Sequence, residues 1–252
     1  MRADGLLWFA GGWRGVYWKG KMVRVRCLCV GLLLGLWMAG CARFPPTTDQ
    51  AGVRRLVIEM RVAGRIRPEY TYFVLFNLSN DPTGQQGPVP VVRPPWGNGF
   101  AAGAFTHFMR YDATQPQGGY GLYRVVPNTN LSVFEYIGAP RLSEPPVGAN
   151  SDRLRFEIDL TQLIPNPDEA RAMVYVQVNF LATDRVPLDP NDPTPKVWDA
   201  LGDSRVELNR YLNSRIDQNR ILRNADSNVE VGGDVADADL DIVDWRIEVR
   251  TL

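Results

Sequence analysis

The sequence predicts an all-β fold: an antiparallel β-sandwich, jelly-roll or immunoglobulin-like, with room for one short helix. Three observations predict it. Apolar residues recur with a period of two, the pattern of a half-buried strand. The segments that carry the pattern are short and filled with β-branched and aromatic residues. Between them lie Pro, Gly, Asn and Asp spacers with no strand–helix–strand rhythm, which points away from a parallel α/β sheet.

The elements follow in order. Leu56, Ile58, Met60 and Val62 alternate with Arg55, Val57, Glu59 and Arg61, giving a first strand with one wet face. Residues 70–78 (YTYFVLFNL) are apolar on both faces and stop at the turn cluster Ser79-Asn80-Asp81-Pro82. Further strands are expected at 105–111, 120–126, 131–137, 154–160, 173–183 and 240–251, and the Pro-containing spacers at 164–167 and 187–195 separate them. No internal repeat is visible.

One segment reads two ways. Ser204-Arg205-Val206-Glu207 has the form of a capping box, and Leu208, Tyr211, Leu212 and Ile216 then fall at helical spacing. Val206, Leu208, Leu212 and Ile216 also fit alternation, and the asparagines disfavour a helix interior. The short helix is placed here.

The amino-terminal region is of another kind. Arg24 and Arg26 precede an apolar run from Cys27 to Met38, and Ala39-Gly40-Cys41 follows. A basic start, a short apolar run and small residues before a cut define an export signal. About 12 apolar residues span only ~18 Å as a helix, too short for a permanent anchor. Met38-Ala39-Gly40-Cys41 resembles the lipobox of bacterial lipoproteins, with Met38 where the family usually has Leu. The resemblance implies cleavage before Cys41 and a diacylglycerol on its sulfur. Two or three acyl chains hold a protein on a membrane where one would not. The expected organisation is an upstream extension at 1–21, a lipoprotein signal at 22–41, a tether at 42–52 and a single sandwich domain at 53–252. Translation is expected to start at Met22, which gives a signal of ordinary length. Ala42 is not the aspartate that retains many lipoproteins at an inner membrane, so an outer membrane is favoured in a cell that has one.

Composition sets bounds on the rest. The only cysteines are Cys27, Cys29 and Cys41, so residues 42–252 contain no disulfide and must be held by an apolar core. Residues beyond Cys41 hold 22 basic and 27 acidic side chains, a net of −5, and Lys196 is their single lysine. No basic footprint for nucleic acid is present.

Candidate chemistry is sparse. His107 is the single histidine, which removes His/Cys zinc sites, and no G-x-S-x-G elbow supplies a serine nucleophile. His107 reads as a satisfied residue on an aromatic strand face. Residues 97–102 match G-x-G-x-x-A, but they follow two prolines and a tryptophan and open no amphipathic helix, so the match carries nothing. The acidic run Asp234, Asp237, Asp239, Asp241 and Asp244 could supply calcium ligands, with Asp237, Asp239 and Asp241 as the candidates. Ile242 then stands where an EF-hand loop needs glycine, and a solvated acidic loop is the competing reading. The stretch 81–103, with five prolines and five glycines, is long for a structureless loop. Trp96, Phe100 and Tyr120 could form an exposed aromatic platform for a sugar; alternatively these rings fill the core.

Residues 70–77, 156–160 and 174–179 resemble the strand layout of family-nine-like carbohydrate-binding modules and DOMON-like sandwiches. That resemblance implies a non-catalytic binding domain but transfers no binding residue. Three function classes stay open: a tethered sandwich binding carbohydrate or another envelope component, a structural or assembly lipoprotein, and a glycoside hydrolase using paired carboxylates.

Overall fold

Period-two segments of this kind pair into sheets, and in the computed structural model they form two antiparallel sheets packed face to face. The structure describes residues 52–252 except 116–117, 128, 130–132, 147–150, 203–210 and 228. Cys41, the signal and most of the tether lie outside the described residues. The strands are β1 (Arg54–Val62), β2 (Thr71–Ser79), β3 (Pro88–Pro90), β4 (Ala101–Gly103), β5 (His107–Tyr111), β6 (Tyr120–Val125) and β7 (Phe134–Gly138). They continue with β8 (Leu142–Glu144), β9 (Arg153–Asp159), β10 (Tyr175–Thr183), β11 (Trp198–Ala200), β12 (Leu212–Arg215), β13 (Arg220–Arg223) and β14 (Ile242–Thr251). Sheet A has the order β13-β14-β1-β9-β8. Sheet B runs β11-β10-β2-β5-β6-β7, with β12 also beside β10, and β3 pairs with β4.

The alternation sets what each face does. Leu56, Ile58 and Met60 of β1, Phe156 and Ile158 of β9, and Trp245, Ile247 and Val249 of β14 point inward. They meet Tyr72, Val74 and Phe76 of β2, Met109 of β5, and Val176, Val178 and Phe180 of β10. The other face of sheet A carries arginines and carboxylates. The other face of sheet B is apolar again: Phe73, Leu75, Phe108, Leu181 and Ala200 form a second core with Phe100, Ala101 and Phe105. The segment between β2 and β5 thus folds back as a cover, with Phe100 stacked on Phe73 at 4.3 Å between centroids. This explains why β2 is apolar on both faces.

Buried amides tie the cover down. Asn77 donates to Gln177 at 2.8 Å and to the Gln86 carbonyl at 3.2 Å, and Gln177 donates to Asn213 at 3.0 Å. Asn179 donates to the Pro88 carbonyl at 2.9 Å. A loop laid over a sheet brings carbonyls into a dry place, and these side chains give them donors.

The helix expectation needs correction. Residues 203–210 lie outside the described residues, so the capping box and Leu208 do not enter. Leu212–Arg215 is strand β12, paired to β10 with Ser214 opposite Val176. Ser214 and Ile216 are buried while Asn213 and Arg215 are exposed, so alternation wins over helical spacing. Short helices fall elsewhere: α1 (Leu160–Leu163), α2 (Pro167–Ala172) and α3 (Asn224–Ser227). Asn166 caps α2 by accepting from the Asp168 amide at 3.0 Å, with Pro167 at the first helical position. The spacer at 164–167 is therefore the start of a helix.

Tyr72→Ala and Phe73→Ala empty one core each. Each should cost roughly 3–5 kcal/mol in urea denaturation. A loss below about 1.5 kcal/mol for Phe73→Ala, as at surface positions, would mean that the second core is not packed.

Candidate functional site

The aromatic platform expected from Trp96, Phe100 and Tyr120 is not exposed. Their relative exposures are 2%, 3% and 0%, so none can stack on a sugar from solvent. Phe100 lies in the second core. Tyr120 lies in the first, its hydroxyl donating to the Glu144 carbonyl at 2.8 Å. Trp96 is gripped by the 184–197 connection: its ring nitrogen donates to the Asp192 carbonyl at 2.7 Å and its amide to Pro190 at 2.8 Å. A long Pro/Gly stretch looks like a surface loop in sequence, but here it covers an apolar face and its rings fill that interface.

Lys196 completes this clasp. Its ammonium donates to the Gly99 carbonyl at 2.9 Å and lies 5.3 Å from the centre of the Trp96 ring. Burial, with Arg185 adding to it, pulls its pKa from about 10.5 to about 8, against the opposing pull of Asp184. At Gly99, φ is +89° and a side chain would run into the Pro187 carbonyl. A glycine is required there for the two connections to approach.

The acidic run does not converge as expected. Asp237 accepts from the Tyr70 hydroxyl at 2.7 Å and the Asp239 amide at 3.0 Å. Asp239 binds the Arg65 amide at 2.8 Å and pairs with Arg67 at 2.7 Å. The first two calcium candidates thus stitch the 65–70 loop to the 237–241 loop. Asp241 turns elsewhere: both its oxygens accept from the Gly233 amide at 2.9 Å. It meets Asp234 and Asp199, with ligand atoms all within 4.8 Å. Burial, together with Asp234, pushes the Asp241 carboxyl up from its ordinary value. Asp199 also accepts from the Ile242 amide. This trio could hold a cation, but three carboxylates fall well short of the six to eight oxygens calcium takes. Asp199 comes from β11, more than thirty residues before Asp234, and nothing in the sequence flags it.

His107 is buried, with its Nδ1 3.0 Å from the Thr106 hydroxyl. Burial and Arg124 pull its pKa down to about 4, partly offset by the Leu163 backbone, so it is neutral at pH 7. A neutral, enclosed imidazole suits a structural role.

The outer face of sheet A holds a polar recess, a groove of about 740 Å³. Its charged lining comes from Glu59 and Arg61 near the end of β1, Glu144 at the end of β8, Asp152 just before β9, and Arg153 and Arg155 at the start of β9. Arg61 pairs with Asp152 at 2.5 Å. Arg153 lies 3.8 Å from Glu59 and 3.2 Å from Glu144, and Arg155 binds Glu144 directly. The in-register pairs Glu59–Arg155 and Arg61–Arg153 build this network. The sequence showed the alternation of charge on β1 and β9 but gave no sign that the strands align it into a recess. On the other sheet, the aromatic row runs on from Phe108 to Tyr123, stacked at 4.9 Å, and then to Tyr136, which is 44% exposed. Tyr136 is where that row reaches solvent.

Two outcomes follow. Trp96→Ala should cost roughly 3–5 kcal/mol in urea melts, as for a buried ring, rather than a surface value. For Lys196, the unfolded chain keeps a proton between about pH 8 and 10.5 that the folded protein has released. Stability from this residue therefore rises with pH across that window, by at most about 1.4 kcal/mol per pH unit. Lys196→Met should remove that rise. The tyrosines with raised pKa, Tyr70 at about 12 among them, lower stability above about pH 10 in both proteins and cancel in the difference. Parallel pH–stability curves for the two proteins would show that Lys196 is not the cause.

The chain matches no protein-family model, no curated protein and no solved structure, so no residue role is carried over from another protein.

Proposed function

We propose that this chain is an exported lipoprotein, cleaved before Cys41 and held on a membrane by acyl chains on that sulfur. Its non-catalytic sandwich binds carbohydrate or another component of the cell envelope. The anchoring half rests on the short apolar run that ends in Met38-Ala39-Gly40-Cys41. Among the described residues, no helix is long and apolar enough to cross a membrane. The observation that carries the binding half is the charged groove at the β1–β9 end of sheet A. Its volume falls in the ~300–1,000 Å³ range of small-ligand sites. The tether of 11 residues, 42–52, reaches at most about 40 Å when fully extended, which keeps the domain close to its membrane.

A structural or assembly role is the second reading. It is favoured by the pairing of charge across sheet A, where Arg55 holds Asp159 at 2.7 Å and Arg250 holds Glu248 at 2.7 Å. The hydrolase reading is weaker. Arg153 stands between Glu59 and Glu144, so the two carboxylates share a cation instead of facing each other across a bond to be cut.

Cys41→Ser should leave the precursor uncleaved, with its apolar signal still attached, and abolish incorporation of radiolabelled fatty acid into the protein. Labelling equal to that of the native protein would remove the lipid anchor from the proposal.

A further inference from the structure

Resting on the binding reading above, we propose that the charged groove on sheet A recognises an uncharged polyhydroxylated ligand, a neutral oligosaccharide. The argument starts from the balance of charge in the groove. Three guanidinium groups, on Arg61, Arg153 and Arg155, face three carboxylates, on Glu59, Glu144 and Asp152. Each arginine is already within ion-pair distance of a carboxylate. A polyanion attracted by the arginines meets as many carboxylates, and a polycation meets the reverse. Neither sign of ligand gains net attraction.

What the network does offer is hydrogen bonding of both senses. A guanidinium has five N–H donors and a carboxylate about four lone-pair sites, and their mutual pairs use only part of these. Ser143 and Ser151, also in the lining, add hydroxyls that donate and accept. Vicinal hydroxyl groups of a sugar donate and accept at neighbouring positions, which suits alternating forks of donors and acceptors. The ion pairs also hold long side chains in place before any ligand arrives, which lowers the ordering cost of binding. Among the described residues the lining has no aromatic side chain, so recognition here works through edge hydroxyls and not through stacking on a ring face.

The test uses the full lipid-anchored protein in detergent, first against isolated cell envelopes and then on a glycan array that holds neutral, uronate-bearing and phosphorylated oligosaccharides. Neutral glycans should bind, with affinity changing less than about twofold from low salt to about 0.5 M, because screening acts on net charge. Arg153 has a side chain 46% exposed. Arg153→Met should therefore keep the melting temperature and weaken neutral-glycan binding by about tenfold or more, the loss of charged hydrogen bonds. Asp152→Asn leaves the groove with a net positive charge and should gain salt-sensitive binding of anionic glycans. Tyr136→Ala, on the opposite sheet, should leave all binding unchanged. Binding of anionic glycans alone by the native protein overturns the proposal, as does loss of binding in Tyr136→Ala but not in Arg153→Met. Envelope binding with no glycan bound would overturn this inference and spare the broader reading. No envelope binding at all would remove both.

Discussion

Sheet B is apolar on both faces, and a sheet of that kind needs two covers. Sheet A supplies one. The second has to come from chain that is not itself a sheet, and the 80–106 and 184–197 connections supply it. Phe100 lies flat on Phe73, and Lys196 and Trp96 lock the two connections to each other. Much of what is unusual in this molecule follows from that need. The buried amides of Asn77, Gln177 and Asn179 exist because a cover made of loop carries backbone carbonyls into a dry interface. Lys196, the single lysine beyond Cys41, is buried for a related reason: the Gly99 carbonyl and the Trp96 face both attract a cation there.

This need also separates what was legible in the sequence from what was not. All eight long strands were legible, because period two over five or more residues is a local property. The short strands β3, β4, β8, β11, β12 and β13 were not, since three or four residues cannot establish a period. The double-sided pattern of residues 70–78 showed that β2 is buried on both faces but not what buries it. That answer depends on where Phe100 and Trp96 end up, and a Pro/Gly stretch reads alike whether it hangs in solvent or straps a sheet. The sequence therefore suggests exposure for the rings that have the least of it, while Tyr136, inside an ordinary strand pattern, carries no local mark of its exposure.

The acidic run teaches the same point through charge. Asp237, Asp239 and Asp241 lie in the turn just before β14 and not on one strand face, so each side chain finds its own neighbours. Two of them stitch loops through Tyr70, Arg65 and Arg67. Only the third meets other carboxylates, and one of those comes from β11. Metal-ligand spacing read along a chain presupposes a loop that curls around the ion. A segment entering a strand at Ile242 cannot do so.

The polar groove follows from the same division of labour between the sheets. With the central strands of sheet B packed on both faces, most of the cross-strand charge falls on the outer face of sheet A, and sheet B carries such a pair at its β6–β7 edge, Arg124 with Glu135. The recess lies at the far end of β1, where Arg61, Asp152 and Arg153 meet. Position along β1 then matters. The described chain begins beside the start of this strand, where the Gly52 amide donates to the Leu252 carbonyl and the Leu252 amide returns a bond to the Val53 carbonyl. Arg61 lies seven residues beyond Arg54, about 23 Å further along the strand at ~3.3 Å per residue. The described chain enters the sheet at one end of β1 and builds its recess at the other. The antiparallel pairing of β1 with β9, in register from Arg55–Asp159 to Arg61–Arg153, fixes that separation.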